Sequence, residues 1–470
     1  MNHIDSNSRK QAMLFPPILD EWLPKNHPAR IIDLFVESID TKILGVVENN
    51  ETTGRPSYDP KAILRLLLYG YSEGARSSRK IERLTYENVA FMWLTEGLHP
   101  DYRTIARFRQ KNISVMKKLL RKTIEFYQDV GVEFDGIAFA DGTKIFANAS
   151  DDATVTEEKI AKLEQLAERI LAEGETIDRR EDEKQGVENK NFLDVERLAT
   201  LEEQIKAYKE QIKNKGGRFN STDTEARFMS HPRHGKHTSY NAQLSVSGAG
   251  IIIEADVTNE VSDNHLLKER VSGIEENTGI KVEKISADSG FFETNEIKEL
   301  MSAGREVVVP KGSDVKRERG KNKKYDIKDF QYDGERDIYI CPAGKELGLR
   351  GVRESHGKNY RVYEANGLGY QGCANKQSCY RGTSERWGRQ IYVLSDREFL
   401  EWYEEVMAKN HELVKKRKRI VEGVIGLLKF CFKFTRFLLR GLEKVKGEWH
   451  LMATAYNLFK LHKRIGCGYS

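Results

Sequence analysis

The chain has 470 residues, too many for one ordinary domain, and its hydrophobic residues, 39% of the total, suffice for a sizeable core. Charged residues make up 32% while the formal net charge is only +5, so bulk charge names no partner and local basic runs carry what signal there is. The best apolar stretch, Val424 to Leu439, is broken by Lys429, Lys433 and Arg436, the start Met1 to Lys10 lacks a signal-peptide core, and five cysteines do not read as a disulfide framework, so a cytoplasmic protein without a membrane partner is expected.

Residues 14–130 read as mostly helical. Pro60 to Tyr71 has a good helix start, with Asp59 as N-cap and Pro60 in the first turn. Ile63, Leu64, Leu67 and Leu68 follow at helical spacing. A second helix is expected over Ser78 to Tyr86 and a third from Tyr102, where Arg103, Arg107 and Arg109 surround Ile105 and Phe108. Short helices with basic faces suit DNA docking, and they equally suit any helical bundle.

Gly136 to Asp141 changes character: Ile137, Ala138, Phe139 and Ala140 form an apolar run ending at a carboxylate, the pattern of a buried strand. Residues 152–215 are strongly charged and carry two apolar stripes. Ile160, Leu163, Leu166 and Ile170 make one, and Leu198, Leu201, Ile205, Tyr208 and Ile212 the other. A helical hairpin insert is expected there, with a polar loop over Glu173 to Asn191. Strands Ser239–Ser245 and Ile251–Val257 flank the turn signal Gly248-Ala249-Gly250. A helix near Asp263 to Glu276, a strand Val282–Ala287 ending at Asp288, a helix over Asn295 to Ala303 and a strand Glu306–Val309 complete an alternation. Residues 311–392, rich in Gly, Lys and Arg, read as a second insert of β-structure and loop, and 395–463 as helical. The basic runs Lys316 to Lys324 and Lys415 to Arg419 suit nucleic acid or a solvated face.

Asp141 and Asp288 each follow a short apolar run and precede small residues, Gly142 in one case and Ser289-Gly290 in the other. Either residue alone reads as a turn-capping aspartate. With an acid on a late helix, Glu422, they form a set with a chemical purpose. Magnesium-class ions take hard oxygen ligands, and two ions about 3.5–4 Å apart activate a hydroxyl and stabilise a leaving oxygen at a phosphodiester. Lys418 and Lys429 share a helical face with Glu422 and would hold phosphate beside it. The plain alternative is an i,i+4 charge pair worth ~0.2–0.5 kcal/mol.

These motifs carry a resemblance. The chain is similar to the DDE transposases of bacterial insertion sequences, most closely the group named for insertion sequence eleven-eighty-two. Gly54-Arg55-Pro56-Ser57-Tyr58-Asp59-Pro60, Ser77-Ser78-Arg79-Lys80-Ile81-Glu82 and Thr104-Ile105-Ala106-Arg107-Phe108-Arg109 resemble the N-terminal domain. Ala140-Asp141-Gly142-Thr143-Lys144 resembles the first-acid motif and Tyr240-Asn241-Ala242-Gln243 the next strand. Ala287-Asp288-Ser289-Gly290-Phe291 resembles the second-acid motif, Val421-Glu422, Gly426 and Lys429 the third, and Ala455-Tyr456-Asn457-Leu458 the closing helix.

The resemblance implies an α/β fold with an RNase H-like mixed sheet flanked by helices. A helical DNA-binding domain over 1–130 would precede a catalytic core of 131–150, 220–310 and 393–465, interrupted by inserts at 151–219 and 311–392. It implies two Mg2+ (or Mn2+) ions on Asp141, Asp288 and Glu422. Cleavage at the terminal inverted repeats would be followed by joining to target DNA. It places Lys429 at a phosphate, with Lys415, Lys418, Arg419 and the three N-terminal arginines as further DNA contacts, in a homo-oligomer on DNA.

Two departures stand out. Lys415 and Lys418 occupy positions where related transposases often hold Tyr and Arg, which removes a ring and a bidentate fork. Cys341, Cys373 and Cys379 resemble the family's cysteine-bearing insert, but Tyr370 stands where a further cysteine is usual. The three thiols with His356 would make a four-ligand zinc site; free reduced cysteines fit equally well. Two rival functions remain at this point: a silent DNA-binding protein from a decayed element, and a metal-dependent nuclease that cuts without joining.

Overall fold

The computed structural model describes residues 18–47, 57–182, 192–215, 217–231, 234–312, 325–355, 358–365, 373, 375, 379, 389–394 and 397–466. Gly54 to Pro56, the run Lys316 to Lys324, His356 and Tyr370 therefore lie outside the described residues. The chain divides into two compact units, Met1–Glu283 with Arg419–Ser470, and Lys284–Lys418. It is a mixed α/β protein with a helical N-terminal region.

The first unit opens with α1 (Leu19–Trp22), α2 (Pro28–Glu37), α3 (Thr41–Leu44), α4 (Pro60–Ser72), α5 (Ser78–Glu87), α6 (Val89–Leu94), α7 (Tyr102–Lys111) and α8 (Ile113–Asp129). α4 starts as its sequence predicts: Asp59 accepts the Lys61 N–H at 2.9 Å and Pro60 fills the first turn. Ile63, Leu64, Leu66, Leu67 and Leu68 are all buried, so α4 is apolar around most of its girth and sits in a core. Its one buried arginine, Arg65, is paired with Asp33 at 2.7 Å.

Strand β1 (Ile137–Phe146) leads into a helical pair, α9 (Glu157–Asp182) and α10 (Phe192–Lys215), whose base is clasped by the antiparallel strands β2 (Thr154–Thr156) and β3 (Arg218–Asn220). Val155, Ile160, Ala167, Leu201, Ile205, Ile212 and Phe219 form a separate small core there. The two predicted apolar stripes supply most of it. α9 runs on to Asp182, into the segment expected as loop, because the stretch holds no proline and Gly174 weakens a helix without ending it.

β4 (Arg227–His231), β5 (Gly235–Ser247) and β6 (Ile252–Thr258) follow. β5 is the spine of this unit's antiparallel sheet. It pairs with β1 on one edge, from Ser239 opposite Phe146 to Ser247 opposite Ala138, and with β4 and then β6 on the other. The β5–β6 turn needs Gly250, whose φ is +78°. Then comes α11 (Leu267–Thr278).

The second unit contains β7 (Lys284–Ser286), α12 (Thr294–Ser302) and β8 (Glu306–Val308), the two strands pairing in parallel. An antiparallel sheet follows, made of β9 (Gln331–Asp333), β10 (Ile338–Ile340), β11 (Glu346–Ser355), β12 (Lys358–Ala365) and β13 (Gln390–Leu394), in the order β13-β12-β11-β10-β9. α13 (Arg397–Lys409) comes next, and α14 (His411–Gly426) carries the chain back into the first unit. A π turn (Leu427–Cys431) and α15 (Leu442–Gly466) end the described chain.

α15 is the helix around which the first unit packs. Trp449 donates to Gln243 O at 2.8 Å, Tyr456 to Gly250 O at 3.0 Å, and the Asn457 amide brackets Ile252 through both its N–H and its C=O. The closing-helix motif therefore acts by fixing β5 and β6. Glu448, fully buried on α15, pairs with Arg76 at 3.2 Å and accepts the N–H groups of Leu438 at 2.8 Å and Leu439 at 3.0 Å. Arg76 in turn donates to Arg436 O and Lys433 O and lies over the Phe434 ring at 4.4 Å. An unpaired buried charge costs several kcal/mol, so Arg76→Ala should destabilise the protein by about 3–5 kcal/mol in urea unfolding. A loss below about 1 kcal/mol, the value of a surface pair, would show that Glu448 is not held this way.

His450 is buried beside Glu448, with its ring N–H on Ala255 O at 2.8 Å. Burial pushes its pKa down to about 4, partly opposed by the Asp256 charge. Because the folded value lies below the ordinary 6.5, the neutral ring favours the folded state above that pH. This contribution is lost as pH falls from about 6.5 towards 4. His450→Gln should flatten the fall in melting temperature over that window, and an unchanged slope would contradict it.

Candidate active site

Asp141 does not end its strand. β1 continues five residues further to Phe146, and Asp141 sits within it opposite Leu244 of β5. The sequence placed the strand end there because Asp141-Gly142-Thr143 reads as a turn; pairing with β5 carries the extended backbone through it. Asp141 is half-buried, and its carboxylate accepts the Gly142 N–H at 2.9 Å. By the alternation of a strand, Phe139, Thr143 and Ile145 share its side of the sheet.

The segment that follows α14 runs close to the strand of Asp141. Val421, Val424 and Leu428 are buried and seat the helix, leaving Glu422 exposed between them. The helix then loosens into the π turn, a form that often marks functional positions. Beyond it the chain hooks onto the end of β1: Phe146 N–H bonds Thr435 O at 3.1 Å and Phe437 N–H bonds Phe146 O at 2.9 Å. Arg436 reaches past this bridge to Ala147 O at 3.0 Å. Lys429, within the π turn, has its ammonium 3.5 Å from Lys144 O. Burial pushes its pKa down, and the negative charge of Asp141 opposes that shift. The predicted phosphate-binding lysine and the first predicted acid are thus electrostatic neighbours.

The other face of β1 holds a cluster that the sequence did not single out as a site. Asp263 accepts from the Asn241 amide at 2.6 Å and the Gln243 amide at 2.7 Å, with Lys144 at 3.9 Å. Asp263 was expected to begin a helix, but α11 starts only at Leu267 because the carboxylate is spent on β5 instead. The signal was present in part, since Asn241 and Gln243 alternate on one side of a strand and Gly142 pairs opposite Gln243. A Cβ on Gly142 would stand 2.6 Å from both Asp263 Oδ1 and Gln243 Nε2.

The remaining predicted residues distribute as follows. Asp288 lies two residues beyond β7 and caps a short 3-10 turn, Ser289–Phe291, accepting the Gly290 N–H at 2.9 Å. Lys415, Lys418 and Arg419 are exposed on α14, Lys415 pairing with Glu412 at 3.0 Å. Arg103 and Arg107 are exposed on α7. Arg109 corrects the expectation of a DNA contact: it is buried, donating to Tyr71 OH at 3.2 Å and Arg76 O at 3.1 Å, so its guanidinium belongs to the network around Glu448. In the second unit Cys379 is buried, its thiol pushed up by burial, with Cys341 and Cys373 adding in the same direction against Arg389. Among the described residues no three or more His, Cys, Asp or Glu side chains stand close enough together to hold a metal ion. No helix of the described residues is long and apolar enough to cross a membrane.

The clasp behind Gly142 yields a test. Gly142→Ala forces Asp263 or Gln243 to move, and overpacking of this kind costs about 1–3 kcal/mol. A variant as stable as the parent in urea unfolding would mean the clasp yields freely.

Comparison with known families adds the identity. Residues 17–111 match a transposase domain (DUF772), and residues 340–462 match a transposase DDE domain. The second match includes Glu422 and Lys429, while Asp141 and Asp288 lie between the two matched segments. No curated protein and no solved structure matches the chain. A transposase domain in the helical N-terminal region and a transposase DDE domain towards the C-terminus together support a DDE transposase of insertion sequences.

Proposed function

We propose that the protein cuts DNA at the ends of its insertion sequence and joins those ends to target DNA, with Asp141, Asp288 and Glu422 as ligands of two magnesium-class ions. The observation that carries this reading is the approach of the Lys429 ammonium to Lys144 O, 3.5 Å away on the strand that holds Asp141. It sets the third-motif segment, which also bears Glu422, against the first-acid strand. The hook of Thr435 to Phe437 onto Phe146 supports it by fixing that segment's path.

The donor chemistry fits the ions. Carboxylate oxygens are the hard ligands that magnesium and manganese prefer. When bound, such ions supply a nucleophilic hydroxyl and neutralise the leaving 3′ oxygen. The chain's own groups do the rest. The Lys429 ammonium holds a non-bridging phosphate oxygen and balances Asp141. Exposed Lys415, Lys418 and Arg419 extend cationic contact along the DNA, and Arg103 and Arg107 offer a separate basic face for the terminal repeat. We read residues 131–150, 220–310 and 393–465 as an RNase H-like catalytic core. The helical pair at 151–219 and the cysteine-bearing segment 311–392 are inserts in it. Cutting both ends in one complex requires at least two protomers.

The test is a duplex carrying the element's own terminal inverted repeat. The protein should nick it at the repeat end only with Mg2+ or Mn2+ and then join the end to a plasmid. Asp141→Asn, Asp288→Asn and Glu422→Gln should each lower nicking by ~10^3-fold, about 4 kcal/mol of transition-state stabilisation, with duplex binding retained. Nicking without joining would establish a nuclease instead, and nicking that survives all three substitutions would refute the ligand assignment.

A further inference from the structure

Where β4 meets β5 the chain carries His231, His234 and His237, and all three lie around the ring of Phe146 at the end of β1. His231 is buried, stacks on that ring at 4.4 Å and shares a hydrogen bond with Ser239 Oγ at 2.8 Å. Burial pushes its pKa down, and the charges of His237, Lys429, His234 and Lys144 add in the same direction. His237 is different. Its Nδ1 lies 2.5 Å from Asp151 Oδ2, and its Nε2 bonds His234 O. A carboxylate and a carbonyl only accept, so both ring nitrogens must donate, and only the imidazolium does that. The bond to Asp151, and then the bond to His234 O, hold the His237 pKa above its ordinary 6.5, against burial and the Arg436 charge. Asp151 stays a carboxylate because its bonds to His237 and to the N–H and hydroxyl of Thr238, both at 3.2 Å, outweigh its burial.

One proton therefore closes a latch. It ties the start of β5, through His234 O, to Asp151, which leads into β2 and the helical pair. Loss of that proton breaks one of the two bonds and leaves Asp151 as a negative charge without its partner. The surroundings of the latch are cationic. Arg436 lies over the Phe146 ring at 5.5 Å and donates to Ala147 O at 3.0 Å and Ala149 O at 3.2 Å. Arg440 donates to Asn148 O at 2.8 Å. Carbonyl oxygens orient these guanidiniums without cancelling their charge. Both arginines are exposed, and so is Lys236 beside His237. Two oriented guanidiniums and an ammonium fit a run of phosphates, provided that the acid among them is neutralised.

We propose that the start of β5 and the hook form a proton-dependent phosphate contact, in which duplex DNA lies against Lys236, Arg436 and Arg440 and its binding takes up a proton at His237. This rests on the transposase reading above and adds a regulation of it. Both N–H groups of His237 are taken, so it is a positioning residue: its charge cancels Asp151 and its bonds hold the turn. DNA phosphates favour the imidazolium, so the ring stays charged to a higher pH in the complex than in the free protein. Affinity therefore rises as pH falls through the raised value, in the range where histidine acts as a switch.

The experiment uses the full chain and a duplex carrying the terminal repeat, with affinity measured between about pH 6 and 8 and proton uptake by calorimetry in two buffers. Wild-type protein should take up about one proton and lose affinity as pH rises, by at most about tenfold per pH unit, the limit for one proton. His237→Gln should abolish the uptake and bind at every pH as weakly as wild type does at the alkaline end. His237→Lys, charged throughout, should bind tightly across the range. Asp151→Asn should bind more tightly than wild type at the alkaline end, a gain that a merely structural role would not produce. Lys236→Ala should weaken binding and lower the slope of log affinity against log salt by about one. An unchanged pH dependence in His237→Gln would overturn the inference. So would a change in its sedimentation without DNA, which would assign this surface to a contact between copies of the chain. Wild-type affinity that stays flat with pH would overturn this inference alone, whereas wild-type protein that binds no duplex would take the transposase reading with it.

Discussion

A carboxylate cannot be left alone in the interior, and the first unit is organised by how it satisfies that of Glu448. The charge sits on α15, which itself pins β5 and β6 through Trp449, Tyr456 and Asn457. Its partners come from two other places: Arg76, between α4 and α5, and the amides of Leu438 and Leu439, past the π turn. Satisfying one buried charge therefore fixes the helical N-terminal region, the central helix and the hook to one another. Removing any partner exposes the cost of the others, which is why such nodes are more informative about geometry than about net stability.

The consequence reaches β1. The hook places Thr435 and Phe437 against Phe146, and this sets how far the π turn and Lys429 reach along the strand. On the opposite face, the clasp of Asp263 by Asn241 and Gln243 presses against Gly142. Asp141 is thus held in a strand secured from both sides, with a partly desolvated cation in range. Rigid support of this kind is what metal-ion chemistry asks of its carboxylates, because misplacement by about an ångström is costly.

Much of this was legible in the sequence wherever the controlling partners are local. Asp59-Pro60 announces the start of α4, Gly248 to Gly250 announces a hairpin, and the apolar stripes of 152–215 announce a helical pair. What stayed hidden depends on partners far along the chain. Arg109 looks like a DNA contact until Tyr71, thirty-eight residues away, and Arg76 claim it. Asp141-Gly142 looks like a turn until β5 extends it. Asp263 looks like a helix start until Asn241 and Gln243 capture its carboxylate. The π turn over Leu427–Cys431 has no local signature in the sequence. Asp288 goes the other way, because the turn-capping role that its sequence suggested is the one it plays here.

The claim that matters most is that Asp141, Asp288 and Glu422 serve the same metal ions. It can be tested without assuming any step of the reaction by loading the DNA-bound protein with Fe2+ in place of Mg2+ and adding ascorbate and peroxide. Radicals formed at a bound iron cut only the backbone nearby. The account predicts three clusters of cuts, around residues 141, 288 and 422, all suppressed by excess Mg2+. Cuts at only one of these segments, or a pattern that excess Mg2+ leaves unchanged, would contradict it.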